Sequence, residues 1–265
     1  MYEFIPEVMR EAAEIMLSAH NIDSAVIAKP GDANFVTEYD IAVQKFLEEK
    51  LTALLPEAVF IGEESDDNHT ELLASRLCFI IDPIDGTTNF MHNYRHSAVS
   101  VGVCDCGTMV FGAIYDPYLD RLIYAEKGRG AHLEKGGVRT DIRVSDRNLP
   151  AALTTFGTSP YYRDELGEKT FRTAEKLFRA TRDIRRSGSA ALDLCDIACG
   201  SVDVFFEYRL SPWDYAAASL IIEEAGGVIS QMDGSAITLD KPCPIIAGNP
   251  VSHGELLAGN FFELD

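Results

Sequence analysis

The sequence predicts an α+β half, residues 1–148, followed by an α/β half, residues 149–265. From 97 to 144, strand-like alternation is broken by Cys-Gly, Asp-Pro, Lys-Gly-Arg-Gly and Lys-Gly-Gly turns, the pattern of an antiparallel meander. After about residue 150, short runs of β-branched and aromatic residues alternate with helical periods, which is α/β alternation. At 265 residues and 46% apolar content, the chain can bury a core without disulfides or a structural metal. No repeat, low-complexity tract or flexible linker separates the halves, so they are expected to form one compact unit.

In chain order, Pro6 opens a helix whose apolar residues, Val8, Ala12, Ile15, Met16 and Ala19, recur at the helical period. A polar loop with Lys29, Pro30 and Gly31 follows, then a second amphipathic helix over about 40–55, stopped by Pro56. Residues 59–62 and 77–81 are short apolar runs read as buried strands. Beyond the meander come a strand (153–156), helices (166–180 and 189–199), a strand (202–207) and a helix (212–225) closed by Gly226-Gly227. Two short strands and a C-terminal helix complete the order.

The chain carries 42 Asp and Glu against 23 Lys and Arg, a net charge of -19. Direct nucleic-acid binding and docking on anionic lipid are disfavoured, since phosphates must be met by basic residues. Such a balance suits a solvated acidic surface or a site that collects cations. No apolar run is long enough to span a bilayer, and the acidic start (Glu3, Glu7) is unlike a signal peptide, so the chain reads as mature cytoplasmic sequence. Six scattered cysteines without a CxxC pair read as small buried hydrophobes in a reducing compartment.

The most informative segment is Asp82-Pro83-Ile84-Asp85-Gly86-Thr87-Thr88-Asn89-Phe90, directly after an apolar strand. Two carboxylates leave the strand end, and Gly-Thr-Thr permits a tight turn with exposed amides. A phosphate can sit beside such acids only with hard, oxygen-liganded cations such as Mg²⁺ between them. In isolation the segment reads more readily as an Asx-rich turn capped by Asp82. Gly62-Glu63-Glu64-Ser65 alone is a solvated turn. Trp213-Asp214 alone is a packing residue and a first-turn acid, and Asp40 alone is a helix N-cap.

Together these motifs resemble the inositol monophosphatase family, the Mg²⁺-dependent, lithium-sensitive sugar-phosphate phosphatases. The matches are Phe35 to Asp40, Gly62 to Ser65, Asp82 to Phe90, Arg185 to Ala191, and Trp213 to Ala217 continuing to Gly227, in the family's order and spacing over nearly the whole chain. The resemblance implies a layered αβαβα sandwich of the sugar-phosphatase type and a homodimer. It implies Glu63, Asp82 and the Ile84 carbonyl around one metal, and Asp82, Asp85 and Asp214 around a second. Lys29 corresponds to a basic residue of a loop that bears on a third, weaker ion. Asp40, Glu64 and Thr87 would order and deprotonate the attacking water, with no covalent intermediate. Gly86 and Thr87 would hold phosphate oxygens. Asp85, Gly188, Ser189, Ala190 and Glu207 would face the leaving group, and Thr158 corresponds to a substrate-facing hydroxyl.

The implied substrate is inositol 1-phosphate or a similar phosphorylated polyol or sugar. Histidinol phosphate and fructose 1,6-bisphosphate remain alternatives. Thr87-Thr88-Asn89-Phe90 is unlike the nucleotide-phosphatase branch, which tends to carry Lys and Glu there. Bacterial relatives with a similar Arg185-Arg186 segment act in RNA-polymerase complexes, so a regulatory partner protein is a second class of function, with those arginines expected near the dimer contact. The segment 91–97 departs from the family in Arg95 and Ser97. His92 and His96, one helical turn apart, lack a third nitrogen or sulfur ligand for zinc.

Overall fold

A computed structural model describes residues 2–20, 26–28, 35–63, 73 and 77–263. Helix α1 (Ile5–Leu17) begins at Pro6 and buries Ile5, Val8, Met9, Ala12, Ala13 and Met16 along one stripe. After a short antiparallel pair, β1 (Val26–Ala28) and β2 (Phe35–Thr37), comes helix α2 (Glu38–Leu54). Thr37, not Asp40, is the N-cap of α2. Asp40 is the reciprocal partner three residues on, a capping box that the spacing Thr-x-x-Asp makes possible.

A seven-stranded sheet follows, ordered β3 (Val59–Gly62), β4 (Cys78–Asp85), β5 (Ala98–Asp105), β6 (Thr108–Asp116), β7 (Arg121–Glu126), β8 (Ala131–Lys135), β9 (Val138–Ile142). Only β3 and β4 pair in parallel; β5 to β9 are the expected meander. Strand β4 runs four residues past Ile81, so Asp82 and Asp85 lie on the strand itself. Its register slips between Asp82 and Asp85, around Pro83, which cannot donate to the ladder. Helix α3 (Thr87–Met91) is a single turn beyond Gly86.

The C-terminal sheet is ordered β11 (Asp183–Arg185), β10 (Leu153–Phe156), β12 (Val204–Leu210), β14 (Cys243–Gly248), β13 (Val228–Ser230). Helix α4 (Arg163–Ala180) connects β10 to its parallel neighbour β11. Helix α5 (Ala190–Ala198) precedes β12, α6 (Pro212–Glu224) follows it, and α7 (Pro250–Ala258) closes the order. Pairing is parallel at β10 but antiparallel along β14, which no crossover helix joins to β13, so this half is mixed rather than purely parallel.

Strand periodicity sorts the residues into layers. Phe79, Ile81, Val99 and Val101 pack against Ile5 and Met9 of α1 and Val43 and Leu47 of α2. The opposite face offers Ile114 and Ile123 to Leu194 of α5 and Ala217 and Ile221 of α6, whose other sides meet Phe205 and Ile245 of the second sheet. That sheet's outer face, Val204, Phe206 and Ile246, is covered by Leu177 of α4 and Leu256 of α7. The result is the αβαβα sandwich, with helix α6 between the sheets. Of the cysteines, Cys106 is exposed at the β5–β6 turn, and none is in a disulfide. No helix among the described residues is long and apolar enough to cross a membrane.

Candidate active site

Strand β4 and helix α6 bring three carboxylates together. Asp82 and Asp85 come from the irregular end of β4. Asp214 is the third residue of α6, where Pro212 sits in the first turn and Ser211 caps the helix. Oxygen atoms of Asp82, Asp85 and Asp214 lie within 4.8 Å of one another. Each carboxylate is held in place. Asp82 Oδ1 accepts from the Ile84 amide at 3.1 Å, Asp214 Oδ2 from the Ser211 amide at 2.7 Å, and Asp85 Oδ2 from the Ala191 amide at 3.2 Å and from the Ser189 hydroxyl. Glu63, half-buried just after β3, lines the same cavity.

Thr87 stands behind this cluster. Its hydroxyl donates to Asp40 Oδ1 at 3.3 Å and to the Ile84 carbonyl at 3.2 Å. Asp40 is buried and also accepts the Thr37 amide at 2.8 Å, so the α2 capping box orients the acid that orients Thr87. Asp40 itself does not line the cavity and reaches it through Thr87. Glu64 and Lys29 lie outside the described residues.

The electrostatics are those of acids crowded away from water. Burial, then Glu63, Asp85, Asp214 and Asp40, push Asp82 well above the usual carboxylate range. Burial, then Asp85 and Glu63, do the same to Asp214, with the Ser211 amide opposing. Asp85 is pushed up by burial to about 6, moderated by its bonds from Ser189, Ala191 and Ala190. A divalent cation removes both penalties at once, and the donors are all oxygens, which fits a hard ion such as Mg²⁺.

The sequence model of the inositol monophosphatase family matches residues 1–262. The chain belongs to that family. It is 35% identical over 256 residues to the Nus factor SuhB of Escherichia coli, covering 96% of this chain and 93% of the relative. It is 33% identical to the inositol monophosphatase of Dictyostelium discoideum, covering 92% and 89%. Among solved structures it is similar to the extragenic suppressor protein suhB of Bartonella henselae, with TM-score 0.86 and 31% identity over 97% and 96% of the two chains. It is also similar to an inositol monophosphatase of Thermotoga maritima, with TM-score 0.83 and 28% identity over 97% and 94%. Family and relatives make the chain a phosphatase with a divalent-cation site.

In this family member the carboxylates floor a cavity of about 450 Å³. Gly86 and Thr87 line one side, and Gly188, Ser189, Ala190 and Glu207 the other. Ser189 does more than line it, since its hydroxyl caps α5 and binds Asp85. Thr158 turns aside, its hydroxyl accepting from Arg186 at 3.2 Å, while Gly157 and Ser159 on either side face the cavity. Arg186 also lines the cavity, whereas Arg185 is exposed and ion-paired with Asp183. Sequence reasoning missed Gly157, Ser159, Tyr161 and Arg209. His92 is exposed at the end of α3 and His96 is half-buried; neither belongs to the carboxylate cluster.

Glu207 is buried on β12, with Oε1 accepting the Ser159 amide at 2.7 Å and the Ser159 hydroxyl at 3.2 Å. A Cβ on residue 157 would lie 1.7 Å from Glu207 Oε2, so this acid depends on Gly157. Burial pushes Glu207 to about 7 from the ordinary 4.5, against the lowering effect of the Ser159 bonds and Arg186. Between these values the folded chain binds more protons than the unfolded one. Its stability contribution is therefore greatest at low pH and is lost as pH rises through about 7. Replacing Glu207 by Gln is expected to remove a pH dependence on the order of 3 kcal/mol between about pH 4.5 and 7. Urea unfolding of both proteins across that window measures it, and parallel pH profiles would contradict it.

Proposed function

We propose that the protein is a Mg²⁺-dependent phosphomonoesterase acting on inositol 1-phosphate or a similar compact polyol or sugar phosphate. The observation that carries this reading is a largely buried, oxygen-only cluster, Asp82, Asp85 and Asp214, lining one cavity with Glu207. Glu63, Asp82 and the Ile84 carbonyl are assigned to one ion, and Asp82, Asp85 and Asp214 to a second. When bound, Mg²⁺ neutralises these acids, acidifies water and stabilises charge on the leaving oxygen. Thr87 has its hydroxyl hydrogen committed to Asp40 and Ile84, which leaves its oxygen to accept from the attacking water. Asp40 then takes the displaced proton through that hydroxyl, with Glu64 assigned as a second base. Amides of Gly86 and Thr87 hold phosphate oxygens. Glu207, with Gly188, Ser189 and Ala190, accepts or orients hydroxyls of the leaving alcohol. A homodimer, and Lys29 beside a third ion, complete the proposal.

A substrate panel tests it: inositol 1-phosphate, histidinol phosphate, fructose 1,6-bisphosphate and adenosine 3′,5′-bisphosphate, with Mg²⁺ and with or without lithium. The expected result is the highest kcat/KM for inositol 1-phosphate, abolished by chelation and inhibited by lithium. Absence of Mg²⁺-dependent hydrolysis across the panel would overturn the reading. A higher rate on fructose 1,6-bisphosphate or histidinol phosphate would move the assignment to that alternative.

A second reading, a regulatory partner in transcription complexes, is favoured by the relatives named Nus factor SuhB. The acidic balance of the chain fits protein rather than RNA partners. A deletion strain fully restored by the Asp85→Asn protein would favour this role over catalysis.

A further inference from the structure

The turn between β10 and α4 has no place in the phosphatase chemistry above, yet Ser159, Pro160, Tyr161 and Tyr162 all line the cavity. Ser159 opens it with φ of 41°, a left-handed conformation uncommon outside glycine and asparagine. Three bonds hold the residue there. Its amide and hydroxyl donate to Glu207, and the hydroxyl also donates to the Arg209 carbonyl at 3.1 Å. Pro160 fixes the next φ, and a 3₁₀ turn carries the chain through Tyr161 and Tyr162. Tyr162 is braced from β12, with the Arg209 guanidinium 4.4 Å from its ring centroid.

So anchored, the turn places Tyr161 in the wall of the same cavity as the carboxylates. The residue is 39% exposed. Burial, then Glu63, Asp214, Asp82 and Asp40, push its phenol up. The hydroxyl therefore stays protonated and is a donor. Among the described residues it has no hydrogen-bond partner, whereas the Ser159 amide and hydroxyl and the Pro160 carbonyl are bonded within the fold. A neutral donor in the wall of a cation-collecting cavity, carried on an aromatic ring, has the chemistry to meet a bound phosphoryl oxygen and to limit the width of what enters.

We propose that Tyr161 is a substrate-contacting residue, its hydroxyl donating to the bound phosphoryl group and its ring restricting the site to monophosphates of compact alcohols. This rests on the phosphatase reading and adds a size limit to it. The two contributions separate in two variants. Tyr161→Phe keeps the ring and removes the donor, and Tyr161→Ala removes both.

Calorimetric titration of inorganic phosphate into the Mg²⁺-loaded proteins reads the donor, and Tyr161→Phe is expected to raise Kd about three- to tenfold. The ratio of kcat/KM for inositol 1-phosphate over 1-naphthyl phosphate reads the ring. It is expected to stay near the wild-type value in Tyr161→Phe and to fall about tenfold or more in Tyr161→Ala. Unchanged phosphate affinity in Tyr161→Phe together with an unchanged ratio in Tyr161→Ala overturns the proposal while leaving the phosphatase reading intact. If the wild-type protein hydrolyses neither ester, that reading fails, and phosphate affinity alone decides the role of Tyr161. Far-UV circular dichroism of both variants confirms that any loss is not unfolding.

Discussion

Replacing Asp85 or Asp214 with Asn is expected to lower Mg²⁺-dependent turnover to below roughly a tenth of wild type, and by as much as about a thousandfold. The side chains are nearly isosteric, and the hydrogen bonds that hold them survive the change. In Asp85→Asn the remaining side-chain oxygen still accepts from Ser189 and Ala191, and in Asp214→Asn it still accepts from the Ser211 amide. Only one negative charge is lost, from a cluster whose proposed work depends on charge. Folding should not suffer. Burial pushes Asp82, Asp85 and Asp214 all upward, and Asp85 and Asp214 add repulsion at Asp82, as Asp85 does at Asp214, so neutralising either relieves its neighbours and metal-free stability should hold or rise. Steady-state kinetics at saturating Mg²⁺, with thermal melts in chelator, measure both halves. More than a tenth of wild-type turnover in either variant would sink the two-ion assignment. The pH dependence has a matching sign. Below about 6 a proton on Asp85 competes with the cation, so the Mg²⁺ concentration for half-maximal activity should fall as pH rises through that value. The dependence should flatten in Asp85→Asn.

Where local signals are strong, the chain can be read directly. Helix α1 announces itself by its stripe and Pro6, and the meander by its turn dipeptides. Strand β4 reads short because Pro83 marks the end of a strand under ordinary ladder rules; a register slip admits it. Strand β11, Asp183–Arg185 at a sheet edge, has one apolar residue, Ile184, too little for a pattern to read, and exists because α4 returns it beside β10. The acids at the site are legible through their motifs, but what orients them is only partly so. The Thr37-x-x-Asp40 spacing holds a readable capping box, which places Asp40 behind Thr87 rather than at the cap. Nothing local in Gly157-Thr158-Ser159-Pro160-Tyr161 points to Glu207. Their meeting follows from parallel pairing of Phe156 with Phe206, a contact across fifty residues that periodicity does not encode.

The same long-range logic makes Gly112 a residue on which both fold and site depend. Strand β6 and helix α6 touch backbone to backbone at this point. A Cβ on residue 112 would lie 2.3 Å from the Ala217 carbonyl oxygen and 3.0 Å from its carbonyl carbon and Cα. No rotamer change relieves contact with backbone atoms, so Gly112→Ala must move the helix, the strand or both. Overpacking of this kind costs about 3 kcal/mol. That corresponds to a melting temperature lower by about 6–10 °C in a domain of this size. Helix α6 is also the element that carries Asp214, one turn before Ala217. A shift of about 1 Å there draws Asp214 out of register with Asp82 and Asp85, and misplacement on that scale can lower turnover about a hundredfold. Gly112→Ala should therefore lose activity well below its own melting temperature, which a purely destabilising change would not do. Gly167→Ala is the control, because that position in α4 has ordinary backbone angles and open space for a methyl group. It should be neutral or more stable by up to about 1 kcal/mol, with full activity. If Gly112→Ala melts and turns over like the wild type, the close approach of α6 to the sheet is not what sets the position of Asp214.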